Sequence, residues 1–409
     1  MFKYWQIIHE GKLLSTDNVK KYRIKSLDVC KAMLTSSKSK LDGEYTKFKF
    51  AAYWANFDPF KYEKSNIATI GNTVNVSNAW LKCFEIIMAL DLIKSIEFDS
   101  KNIFLHFDNA AFPGSFIVST HHLVNTIYEK VAGKYVWRAS SLLNANEQDA
   151  APLEDKYGLY ANYRDHWLMN DNNNGDVLLE DNQIDFCKQL GGQVDLYTSD
   201  LGFDVSSDYN NQELMQLPAN IGQILSGLLT LKKGGSFITK QYTTFEPCTV
   251  SIMYAVAYFF EEFYLCKPYT SRMANSETYL VGKGFKGGVY LEHPYIKTMF
   301  TRISGKVPVD IPMFDPKDIP KKYLEVIIEA TKTLSNSQIE KLELDIKRTN
   351  KCLDYKFRGS PSENPIIKSF YESVEPDIQK WFSANPILPI SNTKKLVMND
   401  AIKQGNLNG

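Results

Sequence analysis

Between residues 76 and 290 the chain alternates short apolar runs with segments whose apolar residues recur at helical spacing. No other feature limits the fold as strongly. "SNAWLKCFEIIMALDLI" (77–93) has the apolar period of a buried helix, with Ser77 placed to cap it. "NIFLHF" (102–107) reads as a strand, "DNAAFPGSF" (108–116) as a turn of small residues, and "FIVSTHHLVNTIYEKV" (116–131) as a helix. The series continues with strands at 134–140 and 193–200, then a helix at 212–235 that closes on Gly234–Gly235. A strand at 236–242, a helix at 248–263 and a strand at 277–284 complete it. Such alternation predicts an α/β fold: a parallel sheet flanked by helices.

The flanks differ in character. Residues 1–65 are mixed and rich in Lys and aromatics, as in "KFKFAAYWANFDPFKYEK". Residues 291–409 open with a Pro-rich crossing (306–323), continue as a charged amphipathic helix (323–353) and end in polar, Pro-containing sequence. A chain of 409 residues is long for one ordinary core. The expected division is an N-terminal extension (1–65), an α/β domain (66–290) and a mostly helical C-terminal extension (291–409) with a loose end.

Lys+Arg and Asp+Glu number 47 each, so no global basic field exists to hold nucleic acid. A nucleic-acid partner would have to be met by a local patch or a pocket. The six cysteines are scattered and form no CxxC pair, and no His cluster has metal spacing. Neither a disulfide framework nor a metal site is indicated. The longest apolar run, Val250 to Phe260, is too short for a bilayer and ends in Glu261–Glu262, and the N-terminus lacks a signal-peptide core. The expectation is a soluble, cytoplasmic protein without a membrane partner.

In an open α/β sheet, ligands sit at the carboxyl ends of the strands. Asp108 to Ser115 follow the first strand there, Asp200 follows "VDLYTS", and Lys240 ends "SFIT". Glu277 opens the last strand against Tyr279, Leu280 and Val281, behind a polar loop holding Ser271, Arg272 and Asn275. Lys82 lies on the helix before the first strand. Singly these have ordinary readings: an Asp after a strand caps a turn, and a Lys at a strand end is solvated. The small-residue turn leaves backbone N–H groups at a helix N-terminus, which suits a carboxylate or phosphate.

Order and spacing add a resemblance. "SNAWLKCFEI" is similar to S-R-A-x-x-K-L-x-E-I, and "DNAAFPGSF" to D-x-x-A-A-P-G-G-F without a gap. "NGDV" (174–177), "SDLGFDV" (199–205) followed by "NQE", "GGSFITKQY", and "KPYTSRMANSETYLVGKGFK" (267–286) follow in sequence. Residues 76–290 thereby resemble the FtsJ-like 2'-O-ribose methyltransferases of the cap-1 mRNA type, as found in animals and in large DNA viruses such as African swine fever virus. The resemblance implies a Rossmann-like sheet that uses S-adenosylmethionine. It implies Lys82, Asp200, Lys240 and Glu277 as the catalytic set. It implies cofactor contacts from Asp108, Ala110, Ala111, Pro113, Gly114, Ser115, Phe116, Asp176 and Asp200. Departures are Ala110, Phe112 and Ser115, which stand where small residues or Gly are usual and predict a narrower cofactor pocket. No acid follows the second strand, where "WRASSLL" (137–143) offers only Arg138 and hydroxyls.

The implied reaction moves a methyl group to a ribose 2'-hydroxyl near the 5' cap of mRNA, with Lys240 assisting deprotonation and no metal. Lys267, Ser271, Arg272 and Asn275 are the candidate RNA contacts. Partners would be the capped mRNA 5' end and other capping or transcription proteins, in a host cytoplasm or a virion. The aromatic stretch Phe48–Tyr62 is either core or a source of rings for a methylated guanine. Rival readings are another RNA, such as ribosomal RNA, and a non-catalytic binding relative, which the altered turn motivates.

Overall fold

The computed structural model describes residues 1–94, 96, 103–142, 154–169, 173–203, 205, 208, 211–355 and 360–397. Seven strands, β1 (Lys3–Gln6), β2 (Phe104–Asn109), β3 (Tyr135–Ser140), β4 (Val194–Ser199), β5 (Leu231–Gln241), β6 (Phe260–Lys267) and β7 (Thr278–Phe285), form one sheet. Their order is β1-β6-β7-β5-β4-β2-β3. Strands β2 to β5 are mutually parallel, whereas β7 is antiparallel to β5 and β6, and β1 is antiparallel to β6. The wholly parallel sheet expected from the sequence is therefore corrected to a mixed one. Loop 268–277 joins β6 to β7 without a crossover helix, and neighbouring strands so joined pair antiparallel.

The helices are α1 (Lys25–Glu44), α2 (Phe50–Trp54), α3 (Glu63–Ile70), α4 (Asn78–Leu90), α5 (Ser115–Thr126), α6 (Glu129–Ala132) and α7 (Leu159–Asn162). They continue as α8 (Glu180–Leu190), α9 (Gln212–Thr230), α10 (Pro247–Ala257), α11 (Pro294–Ile303), α12 (Lys321–Asp354) and α13 (Pro365–Ala384). Ser77 caps α4 by accepting from the Trp80 N–H at 3.0 Å. Successive strand residues go to opposite faces. Tyr197, Phe237 and Leu280 pack with Ile221 and Leu225 of α9 and Tyr254 of α10. Leu196, Ile238, Tyr279 and Val281 pack with Trp80, Phe84 and Ile117 on the other side.

Two predicted helices overran. The one at 212–235 ends at Thr230, because Leu231 pairs with Val194 and opens β5. Gly234, at φ +83°, sits inside that strand where the pairing is irregular rather than closing the helix. The helix read at 248–263 stops at Ala257, and β6 follows. From there the period becomes two: Phe263 and Leu265 enter one core while Tyr264 and Cys266 enter the other.

The flanking segments share these cores. Tyr323, Ile327 and Ala330 of α12 join the core beside α10, and the Tyr323 hydroxyl donates to the Val250 carbonyl at 2.5 Å. Farther along α12, Leu342 meets Cys30 and Leu34 of α1 and Phe245. The tail after 353, expected to be loose, contains α13, whose Ile367, Phe370, Ile378 and Trp381 make one buried face. Residues beyond 397 lie outside the described residues. Among the described residues no helix is long and apolar enough to cross a membrane.

Candidate active site

Because β7 runs against β5, its first residues lie at the edge where β2, β4 and β5 end. The register sets Lys240 opposite Tyr279 and Gln241 opposite Thr278. Four residues distant in sequence therefore meet. Lys82 Nζ donates to Glu277 Oε1 at 2.8 Å and lies 3.9 Å from Asp200 Oδ2. Lys240 Nζ lies 3.3 Å from Asp200 Oδ1 and 3.5 Å from Glu277 Oε2. Two ammonium groups thus alternate with two carboxylates, all with side chains at most 19% exposed.

Burial alone would push the Glu277 carboxyl up. The ammonium groups of Lys82, Lys240 and Lys267 overcome it and hold the carboxyl below the usual carboxylate range. Burial alone would lower the Lys240 ammonium, but Asp200 and Glu277 raise it above the ordinary lysine value. In this arrangement Lys240 is an ammonium ion. Gly202 lets the loop after Asp200 lie on this group: a Cβ there would come within 2.4 Å of the Tyr242 hydroxyl and 3.2 Å of Lys240 Nζ.

Several supporting residues escaped sequence reasoning. The Tyr279 hydroxyl donates to Asp200 Oδ1 at 2.7 Å and lies 3.2 Å from Glu277 Oε1. The available signal was strand periodicity, since residues 277 and 279 share a face. Buried Glu85, the acid in "SNAWLKCFEI", accepts the Tyr269 and Thr270 N–H groups at 2.9 and 3.0 Å and so fixes the loop before Glu277. Buried Glu213 accepts the Phe245 and Glu246 N–H groups, both at 2.9 Å, and burial pushes its carboxyl up to about 7.

The candidate RNA residues divide. Lys267 is buried, and its ammonium faces Ser271 Oγ, both oxygens of Asn275 and the Glu277 carbonyl at 2.6–3.2 Å. Four acceptors for three donors leave nothing for a phosphate, so its expected RNA contact is corrected to a structural one. Burial pulls its ammonium down to about 7. Ser271 is also buried and donates to Glu277 Oε1 at 3.1 Å. Arg272 and Asn275 reach a groove of about 1100 Å³ that Lys82, Lys240 and Glu277 also line. Arg272 Nε is held by buried Asp58 at 3.2 Å. In the Phe48–Tyr62 stretch, Phe50, Tyr53, Phe57 and Phe60 are core, while Trp54 lines the groove.

The turn between β2 and α5 brings Ala110, Ala111, Pro113 and Gly114 to the carboxyl edge, with Ala110 at φ +53° and Gly114 at φ +110°. Leu159 closes over Gly114, where a Cβ would stand 2.4 Å from its Cδ1. The side chains of three other expected cofactor residues turn inward, which corrects that part of the set. Asp108 is buried, accepts from Thr198 Oγ1 at 2.6 Å, and is pushed well up by burial. The Ser115 hydroxyl meets Ser77 and Tyr157 at 3.0 and 3.2 Å. Phe116 is core. The Phe112 ring lies 6.3 Å from both Tyr160 and Trp167.

The segment 173–177 is tied to the same edge, because the Cβ position of Gly175 lies 2.3 Å from the Ser141 carbonyl oxygen, just past β3. Asp176 Oδ1 accepts the Leu178 N–H at 2.9 Å, a turn-capping bond that leaves Oδ2 without a donor among the described residues. Asp204 in "SDLGFDV" lies outside the described residues. A ligand bearing a carboxylate and hydroxyls fits this edge on two observations. The N-cap of α5 is Gly114, which has no side chain with which to cap the first turn. Among the described residues the buried hydroxyl of Ser140, at the end of β3, has no hydrogen-bond partner.

A sheet of this order, with a lysine–carboxylate site and an uncapped turn at its carboxyl edge, defines a Rossmann-like methyltransferase fold. The chain belongs to the FtsJ-like methyltransferase family, whose model matches residues 75–285. It is similar to the "Probable methyltransferase EP424R" of African swine fever virus (isolate Pig/Kenya/KEN-50/1950), 38% identical over 249 residues, 58% of this chain and 56% of that one. It is also similar to the cap-specific mRNA (nucleoside-2'-O-)-methyltransferase 2 of Drosophila melanogaster, 28% identical over 334 residues, 79% of this chain and 45% of that one. The mouse protein of the same name is 29% identical over 289 residues, 69% of this chain and 37% of its own length. The chain thus spans about half, or less, of the curated relatives it matches.

Proposed function

We propose that the protein methylates a ribose 2'-hydroxyl of RNA, next to the 5' cap of mRNA, using S-adenosylmethionine. The observation that carries this reading is the Lys82–Glu277–Lys240–Asp200 cluster, held at the carboxyl edge of the sheet and open to a groove. The names of the relatives support the substrate. S-adenosylmethionine, when bound, supplies an electrophilic methyl group on a sulfonium. The uncapped first turn of α5, the backbone of Ala110–Gly114 and Asp176 would hold it.

The chain's own residues orient and deprotonate the nucleophile. A ribose hydroxyl is a weak nucleophile until its proton begins to leave. Lys240 stands at the groove with Asp200 and Glu277 fixing its Nζ. As an ammonium it cannot accept a proton, so a further positive charge in the site must first drive its own proton off. Lys82 shares Glu277 with Lys240 and so weakens that carboxylate's hold on the Lys240 proton, and Tyr279 keeps both carboxylates in place. Positioning the hydroxyl for in-line displacement supplies much of the remaining acceleration.

The direct test is methyl transfer from labelled S-adenosylmethionine to short RNAs that differ only at the 5' end, with the modified nucleotide mapped. Transfer to the first or second nucleotide of the capped RNA alone is the expected result. Equal transfer to uncapped RNA would move the substrate to another RNA, and no transfer to either would leave the non-catalytic reading. For the cofactor, Asp176→Ala should weaken S-adenosylmethionine binding by about tenfold, seen as a smaller ligand-induced thermal shift. Asp176→Asn keeps the turn acceptor and separates the local bond from the ligand. An unchanged dissociation constant in both variants would remove Asp176 from the site.

A further inference from the structure

The groove beside Lys240 has a second wall that comes from outside the family-matched segment. Lys38 in the second half of α1, Tyr45 just after that helix, and Trp54 at the end of α2 line it together with the loop that carries Arg272. Its volume of about 1100 Å³ exceeds the roughly 300–1,000 Å³ of small-molecule sites and suits part of a polymer.

The charges are distributed unevenly. Lys82 and Lys240 are neutralised by Asp200 and Glu277, and Arg272 by Asp58. No carboxylate among the described residues lies within ion-pair distance of Lys38. The acid one turn on, Asp42, lines the same groove without pairing with it. Burial lowers the Lys38 ammonium to about 8, as for a half-buried cation that has no anion beside it. Nearby, Tyr45 is 51% exposed, with its ring centroid 6.4 Å from Trp54 at 61°. A lysine without a carboxylate partner among the described residues and an exposed ring, both lining one groove, are the pairing that single strands use: backbone charge on a lysine, base on an aromatic face.

We propose that the groove binds single-stranded RNA along a path from the Lys240 site to α1, with Lys38 pairing a backbone phosphate and Tyr45 stacking a base. The proposal rests on the 2'-O-methylation reading for its direction of travel. A walled groove favours a strand over an A-form duplex, which offers its 2'-hydroxyls on a wide, shallow surface.

The test is equilibrium binding of a fluorescent single-stranded RNA of about ten nucleotides to the full chain across a salt series. Lys38→Gln should raise Kd several-fold at every sequence and cut the slope of log K against log salt by about 0.7, the share of one phosphate on a single strand. Tyr45→Ala should raise Kd by about fivefold or more without changing that slope. Lys40→Gln is the control on the same helix, because Lys40 pairs with Glu343 outside the groove. Unchanged Kd and slope in Lys38→Gln, or equal binding of duplex RNA by the wild type, would overturn the path. Methyl transfer by the wild type is read in parallel. If transfer occurs and the variants bind normally, the groove assignment fails alone. If RNA binds through Lys38 without transfer, the function fails alone.

Discussion

Lys240→Ala is expected to lower methyl transfer by about 10²–10⁴-fold, the usual contribution of a positioned general base. S-adenosylmethionine affinity should stay within about twofold, since Lys240 lies at the end of β5 and not on the turn before α5. The fold should survive: Lys240 lines the groove, and the carboxylates it leaves keep Lys82 at 2.8 and 3.9 Å and the Tyr279 hydroxyl. Single-turnover rates, cofactor titration and a melting curve on the same preparation check all three. Full activity in a folded variant would take the base role away from Lys240. Lys240→Arg keeps the charge but not a titratable amine, and should be equally inactive.

The second large effect is at Glu277. Glu277→Gln should lower the rate by about a hundredfold and also move its pH dependence. The sign follows from geometry. The substitution removes an anion 3.5 Å from Lys240 and leaves Lys82 without its 2.8 Å partner. Both changes disfavour the Lys240 ammonium, so its proton leaves at lower pH. The rising alkaline limb of the pH–rate profile should shift down by roughly one to three units. A merely structural role would lower the rate and leave that limb in place.

Stability gives an independent reading of the same residue. The folded Glu277 carboxyl is held below its unfolded value, so its contribution is present above the ordinary glutamate range and lost on acidification. In Glu277→Gln the loss of stability below about pH 4.5 should be shallower. At neutral pH the variant should be less stable by up to about 3–5 kcal/mol, as for breaking a buried pair. Glu277→Ala should show the same loss of activity with a larger fall in Tm, because Ser271 and Tyr279 also lose their acceptor.

The strand and helix periods made the parallel half of the sheet legible, together with α4 and its Ser77 cap. The motif order made the four site residues legible, each lying at a strand or helix position that local pattern can place. Less legible were β6 and the reversal of β7. "YAVAYFFEEF" has an apolar run that fits either period, and only pairing with β7 on one side and β1 on the other selects the strand. Lys267 and Arg272 look alike in the loop sequence. Burial among carbonyls makes the first structural, while Asp58, more than two hundred residues away, places the second at the groove.

By itself the sequence determined which chemistry is present: a lysine on a helix, a lysine and two carboxylates at strand ends, and a small-residue turn opening a helix. These are local properties, carried by spacing and residue type. Only the tertiary structure decided which charges neutralise one another and which stay available. Ion pairing falls off over a few ångströms, and those distances are set by sheet order and by helices from both ends of the chain. The reversed β7 carries Glu277 to Lys240. The packing of α1 beside α12 brings an undistinguished lysine, Lys38, to the groove, where no carboxylate among the described residues pairs with it.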